Sequence, residues 1–302
     1  MKSQAPLYTE GIPLPYDGPR RRPRPNFWTF AGVPGILFLV LVFGIPLVMI
    51  VIRSLTDPSP ENYLGVIDDP VYRASLWRTI QIAVMVTVLS VVIGYPVAYV
   101  MARSGRGMSI FLLAVLMLSF WTSLLVRTFA WQVIRNNTGI INKFLLDTGI
   151  IHDPLPLSRN LFAVFVGMVH ILMPYAILAT YASLRGIRPE VEQAAQSLGA
   201  NPVRVFFRVT LPLSMPGVAA GGVLVFVLSL GFYITPALLG GPQDSLISQS
   251  IVLQVQQYLQ PGMAAAMAVV LVVLVLAVMV VATRFVGLGR ILGVTGASEE
   301  TR

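Results

Sequence analysis

Six apolar stretches alternate with polar intervals along the chain: about Ala31–Ile52, Leu76–Met101, Ser109–Val133, Leu161–Leu184, Met215–Leu239 and Met263–Val286. Each approaches or exceeds the roughly 20 residues that carry an α-helix across a bilayer. None contains Asp or Glu. The pattern predicts an all-α, polytopic membrane fold with six transmembrane helices and both termini on one side. The first stretch is too long for the apolar part of a secretory signal and lacks a convincing small-x-small cleavage site, so it reads as a retained span. Breakers lie within the stretches: Gly94-Tyr-Pro96 in the second, Pro174 in the fourth and Pro236 near the end of the fifth. A spanning helix tolerates such residues where neighbouring protein or water satisfies the freed carbonyl. Gly217-x-x-x-Gly221 opens the fifth with a surface for close helix approach.

The longest polar interval of the second half runs to Pro212. In it Val191, Ala194, Ala195 and Leu198 fall at i, i+3, i+4 and i+7, one apolar helical face. Glu190, Glu192, Gln193, Gln196 and Ser197 take the other face. Pro189 can open this helix, and the two Glu sit in the first turn, where the dipole favours anions. Gly199 permits a turn that a residue with a Cβ would resist. Asn201-Pro202 reads as an N-cap with Pro at N1, so a second short helix begins. Val203, Phe206 and Val209 give it a stripe, and Leu211-Pro212 is expected to stop it. The plainer reading of such a helix pair is a connector lying at the membrane surface.

The remaining intervals are less specific. Residues 55–75 hold Asp57, Glu61, Asp68 and Asp69, and residues 134–160 hold Ile141, Phe144 and Leu145 at a spacing that predicts a short surface helix. Residues 1–26 are Pro-rich and basic, with Arg20-Arg-Arg-Pro-Arg24. They cannot build a core and read as a disordered tail, attracted through clustered Arg to anionic lipid headgroups.

Composition agrees with the span pattern. Only 11% of the 302 residues are charged, against about 25% in soluble domains, and the mean hydropathy is +0.77. The chain has no cysteine, hence no disulfide framework or thiolate chemistry. Its only lysines, Lys2 and Lys143, follow no phosphate-loop glycines, so it carries no nucleotide-hydrolysing motif. His152 and His170 have no metal or triad spacing. No metal and no cofactor are expected.

The net charge of +8 is explained by sidedness. The N-terminus, residues 102–108, residues 185–214 and the C-terminal tail with Arg284 hold 14 of the 21 Lys and Arg, but only 6 of the 13 Asp and Glu. The positive-inside rule then puts both termini and the 189–212 interval in the cytoplasm. Nucleic acid is not needed to explain the basic balance.

The 189–212 interval resembles the EAA loop of binding-protein-dependent ABC importer permeases, whose pattern runs E-A-A, three residues, G, nine residues, I-x-L-P. Here Gln193-Ala194-Ala195 precedes Gly199, and Val209-Thr-Leu-Pro212 follows it, at the same intervals. Gln193 replaces the Glu and Val209 the Ile; Glu192 lies one residue early and cannot take the same angular position. Three further stretches are similar to the spermidine/putrescine permease branch: Phe120-Trp-Thr-Ser-Leu-Leu-Val-Arg-Thr-Phe-Ala-Trp131, Thr138-Gly-Ile-Ile-Asn142 and Leu230-Gly-Phe-Tyr-Ile-Thr-Pro-Ala-Leu-Leu-Gly-Gly-Pro242. The resemblance covers roughly residues 30–288.

That resemblance implies the MetI-like transmembrane domain of a type I ABC importer in a bacterial inner membrane, at residues 29–288 between a basic tail (1–28) and a C-terminal tail (289–302). It implies a non-catalytic subunit, with ATP hydrolysed by two partner ATPase subunits. A second permease subunit, in a heterodimer, and an extracytoplasmic substrate-binding protein complete the machine. Glu192, Gln193, Ala194, Ala195, Leu198, Gly199, Phe206 and Pro212 would belong to the ATPase-docking loop. Polyamines are the substrate class implied, although permeases for opines and other small organic solutes share these motifs. Trp121, Phe129, Trp131, Phe232 and Tyr233 are candidates to line the pathway. Asn142 and Pro236 are assigned structural or outer-face positions. Arg127 stands about 18 residues into the third stretch, roughly 27 Å up a straight helix, where it is expected to snorkel outward and pair with a carboxylate or headgroup. A proton- or sodium-coupled carrier would usually need ionisable groups in the membrane, and the spans hold no carboxylate. An intramembrane enzyme would need paired carboxylates, a nucleophile elbow or metal-spaced histidines, none of which occurs at membrane depth.

Overall fold

The computed structural model describes residues 27–241 and 243–286, and these form α-helices and one π-turn, with no strand among them. Of the expected tails, residues 1–26 and 289–302 lie outside the described residues, while Phe27 and Trp28, assigned to the first tail, open α1. The chain divides into two units, residues 1–49 and 50–302. The described part of the first is residues 27–49 of α1 (Phe27–Thr56), whose large apolar side chains are exposed from Val33 to Met49. A helix apolar all round suits a lipid-facing position.

In the second unit, α3 (Pro70–Arg103), α7 (Leu161–Gly186) and α10 (Leu211–Leu230) pack most closely together. Lipid tails are as apolar as leucine, so helices in a bilayer associate through close packing and polar bonds. The α7–α10 seam uses both. Gly217 lies against Ala179 and Ser183, and Gly221 against Ala176 and Ala179; a Cβ on Gly217 would fall 2.2 Å from the Ser183 Cβ. Ser183 Oγ donates to the Ser214 carbonyl at 3.4 Å, and α3 joins the seam through Tyr95, whose hydroxyl lies 2.9 Å from that of Ser214. Ile82, Val86, Met168, Leu172 and Val225 form one apolar cluster of this core; Ala98, Met101, Ile177 and Leu184 form another, at the end where α3 finishes. At the opposite end, α2 (Asn62–Asp68), α12 (Ile247–Gln256) and α13 (Pro261–Val286) meet around Val66, Ile247, Ala266 and Met267.

Two spans depart from the sequence reading. The third stretch is α4 (Arg106–Trp121) and α5 (Leu124–Ile134), bent by 93° at Thr122-Ser123. Thr122 is extended and Ser123 is non-helical, and Thr122 Oγ1 donates to the Ser119 carbonyl at 2.9 Å. Small hydroxyl side chains can bond nearby backbone and so offer an alternative to continued helix. The depth expected for Arg127 from a straight rise therefore does not hold. The fifth stretch ends at Leu230; Gly231, Phe232 and Tyr233 break it before the short helix α11 (Ile234–Leu239). Pro236, in the first turn of α11, gives up an N–H that has no intrahelical partner there, a position proline tolerates. Pro96, Pro174 and Pro216, by contrast, sit inside continuous helices. Five described helices are long and apolar enough to span, and the bent α4–α5 pair makes a sixth. The six-span expectation holds in that form.

Candidate functional site

The polar interval folds as α8 (Pro189–Ser197) and α9 (Pro202–Val205), each with Pro at its start. Asn201 Oδ1 accepts the Arg204 N–H at 2.8 Å, the cap its sequence position predicts. Gly199 has φ +88°. Its N–H donates to the Gln196 carbonyl at 2.9 Å, and the Ala200 N–H donates to the Ala195 carbonyl at 3.2 Å. This pair of bonds is a Schellman closure, which needs a left-handed residue at the first position past the helix end. A Cβ on Gly199 would meet nothing within 4 Å, so the demand for glycine here comes from backbone angle alone.

Leu211-Pro212 does not end the second helix. The chain continues from α9 through a π-turn, Phe206–Thr210, directly into α10. Pro212 has no N–H, and in an unbroken α-helix its ring would press on the Arg208 carbonyl. The wider turn just before it, closed by the Leu211 N–H on the Phe206 carbonyl, resets the register. The joint is anchored. The Phe206 ring stands edge-on to Tyr95 at 5.8 Å and to Tyr99 at 5.5 Å, while Val205 and Thr210 are buried.

Inside and outside of this segment are thus distinct. Glu192 turns inward, accepting from Arg103 Nη2 at 2.5 Å and from Thr210 Oγ1 at 2.7 Å. Gln193, Ala194 and Gly199 are exposed and Ala195 is half-buried. Leu198 is 90% exposed, and Val203 and Phe207 are 64% and 60% exposed. Leu198 caps α8 at its C-terminal end, and with Val203 and Phe207 it leaves an apolar surface uncovered on this segment. Sequence reasoning grouped Glu192 with the polar face and with the docking residues; its partner Arg103 lies 89 residues away, beyond what local spacing can report.

The candidate pathway residues separate. Trp131 and Phe232 pack against the core cluster. Phe232 lines a cavity of about 150 Å³ at the α4–α5 bend, together with Arg127, Ser119, Phe120, Tyr175 and Leu228. Phe120 and Tyr175 meet edge to face at 5.0 Å. Trp131 Nε1 donates to His170 Nδ1 at 3.1 Å. Trp121, Phe129 and Tyr233 are exposed and do not line the cavity. Arg127 Nη1 donates to Ser119 Oγ at 3.3 Å, and its Nε is buried without a partner. No carboxylate pairs with it among the described residues. Tyr175 was not singled out from sequence; its position beside Pro174 was the available signal.

Beyond the bend, Asn142 is fully buried in α6 (Ile140–Asp147). It donates to the Asn136 and Leu155 carbonyls at 3.2 and 3.0 Å and accepts the Leu155 N–H at 2.9 Å, tying the 134–160 segment closed. Pro236 is buried in α11, next to Thr235, whose hydroxyl lies 3.3 Å from that of Thr128 on α5. Arg135, which sequence reading passed over, is buried at the end of α5 with its guanidinium 5.0 Å above the Phe162 ring. Burial pushes its pKa below the ordinary guanidinium value.

Known proteins agree with this architecture. The spermidine/putrescine transport system permease protein PotB of Haemophilus influenzae is 35% identical over 191 residues, covering 63% of this chain and 66% of that protein. The Escherichia coli protein of the same description is 32% identical over 194 residues, covering 64% of this chain and 70% of that one. Among solved structures, a bacterial alginate ABC transporter in complex with a pentasaccharide-bound periplasmic protein has a chain that superposes with a TM-score of 0.74. It covers 86% of this chain and 96% of that one at 16% identity, a likeness of fold. Residues 24–288 match the family described as binding-protein-dependent transport system inner membrane component. A multi-pass helical bundle, a short helix pair held at one end of its core and this match across most of the chain lead to one conclusion: the chain belongs to that family of ABC importer permease subunits.

Proposed function

We propose that this permease subunit takes up polyamines, driven by two ATPase subunits that dock on residues 189–212 and supplied by an extracytoplasmic binding protein. A second, different permease subunit completes the pathway. Both termini and the docking segment lie in the cytoplasm, as the distribution of Lys and Arg favours. The observation that carries the reading is the exposed Leu198 stripe on a helix pair whose other side is fastened to α3 and α10. The polyamine assignment is supported by the relatives' names and by the aromatic side chains around the bend, since cations are attracted to ring faces.

One observation favours a second reading. Arg127 lines the cavity at the bend with no carboxylate beside it, a better match for a solute bearing a carboxylate, such as an opine or amino-acid derivative. Proteoliposomes containing the whole complex, loaded with ATP, test both. Uptake of labelled spermidine, competed by putrescine and indifferent to carboxylated solutes, supports the first. Uptake competed only by carboxylated solutes replaces it with the second.

A further inference from the structure

The geometry points to Arg103 and Glu192 as a positioning pair that makes the α8 segment move as one body with α3, α7 and α10. The inference rests on the reading of residues 189–212 as the docking segment. Two distant parts of the chain converge on the Glu192 carboxylate, and Arg103 ties in a third. Arg103 is the last residue of α3, and its Nη2 donates to Glu192 Oε1 at 2.5 Å. Its Nη1 donates to the Ile187 carbonyl, just past the end of α7, at 3.5 Å. Thr210 closes the π-turn that opens into α10, and its hydroxyl donates to the same Glu192 oxygen at 2.7 Å.

The environment makes this contact count. The two side chains are 20% and 15% exposed, so water and salt screen the pair weakly. The other ion pair among the described residues, Arg53–Asp57, is an exposed i,i+4 contact, of a kind that contributes little. One residue along a helix turns a side chain by about 100°. Glu192 therefore faces in while Gln193 faces out, and a docked protein would meet Gln193, Ala194 and Leu198 rather than the acid. Ile187 and Arg188, between α7 and α8, are extended and could act as a hinge. Arg103 bridges that hinge, with Nη1 on the Ile187 carbonyl and Nη2 on Glu192. A push on the outer stripe then reaches α3 through Arg103 and α10 through Thr210.

The chain has no cysteine, so two introduced cysteines can be spin-labelled selectively in this subunit. We would label position 196 on α8 and position 100 on α3, both exposed and neither among the residues a docked protein would meet, in the assembled complex in lipid nanodiscs, with the partner subunits made cysteine-free. A single narrow distance distribution is expected for the parent. Glu192→Ala and Arg103→Ala are each expected to broaden it and to lower spermidine uptake per ATP hydrolysed roughly tenfold, as the loss of one partner of a largely buried pair implies. The double variant should be no worse than either single one, because groups that act as a unit are non-additive. Thr210→Val should cost about twofold, the scale of one neutral hydrogen bond. A narrow distribution in normally assembled Glu192→Ala, or single losses that multiply in the double variant, would overturn the inference. If Glu192→Ala does not assemble, Glu192→Gln, which keeps an acceptor for Thr210, is expected to broaden partially; a parent-like distribution and uptake ratio would again overturn it. Failure of the docking reading is distinguishable: Leu198→Asp would then keep full ATPase stimulation, while the distance comparison among the Glu192 and Arg103 variants would stand unaffected.

Discussion

Two of the joints in this helix bundle are built in opposite ways. The α4–α5 joint turns the chain by 93° at two hydroxyl residues and opens onto a cavity holding an arginine that has no ion pair among the described residues. The joint from α9 into α10 contains a π-turn and a proline, yet the helix carries through. It is closed from behind by Phe206 on two tyrosines and by Thr210 on Glu192. Proline content does not predict which joint bends. What differs is packing: side chains fill the space behind the π-turn, whereas the bend leaves room. The first arrangement suits transmission of a push, and the second suits a place where a solute passes.

The largest expected effect tests the rigid joint at its closure. Gly199→Val should abolish ATPase stimulation and uptake together, since a branched residue resists φ +88°. Gly199→Asn should retain most activity, because Asn tolerates that backbone region and nothing lies within 4 Å of a Cβ there. Equal activity of the Val and Asn variants would remove the backbone argument. Next, Phe206→Ala removes two edge-to-face contacts and their buried area. It is expected to lower the stability of the detergent-solubilised complex by about 2 kcal/mol and reduce coupling with it. A thermal melt superimposable on the parent would mean that the tyrosine contacts are incidental.

Effects at the bend should be smaller. Arg127→Lys keeps the charge but loses the fork, so uptake of a polyamine should fall no more than about threefold. A carboxylated solute held by that fork would lose much more, and measuring KM for both solutes separates the readings. Thr122→Ala is expected to change uptake less than twofold, because one local side-chain bond is worth about 1 kcal/mol at most and Ser123 is retained. A large loss would show that the Thr122 hydroxyl itself sets the bend.

How far the sequence reaches follows the same division. Hydropathy located the spans, and local chemistry located Pro189, Gly199 and Asn201-Pro202, because a cap or a left-handed turn is decided within a few residues. The 93° bend was hidden because Thr122 and Ser123 in an apolar run carry no breaker signal comparable to Gly or Pro. Pro212 was misread as a stop, since nothing in the local pattern announces a π-turn. The inward face of α8 was hidden for another reason: Glu192 chooses it through Arg103 and Thr210, and only folding brings these together. The aromatic candidates around the bend were named by residue type. Which of them, Phe232 rather than Trp121, lines the cavity depends on how α10 ends against α7.

The central claim is that the exposed face of residues 189–212 receives the ATPase. Its most direct test is the ATP hydrolysis rate of the reconstituted complex, with and without spermidine-loaded binding protein, in the parent and in Leu198→Asp and Ala195→Trp. Leu198 is 90% exposed, so a charge there costs the folded subunit little while spoiling an apolar contact. Bulk at the half-buried Ala195 should block close approach. The account predicts that both variants insert normally, retain less ATPase in a pull-down and lose most of the stimulation. Full stimulation at normal subunit stoichiometry in both would contradict it.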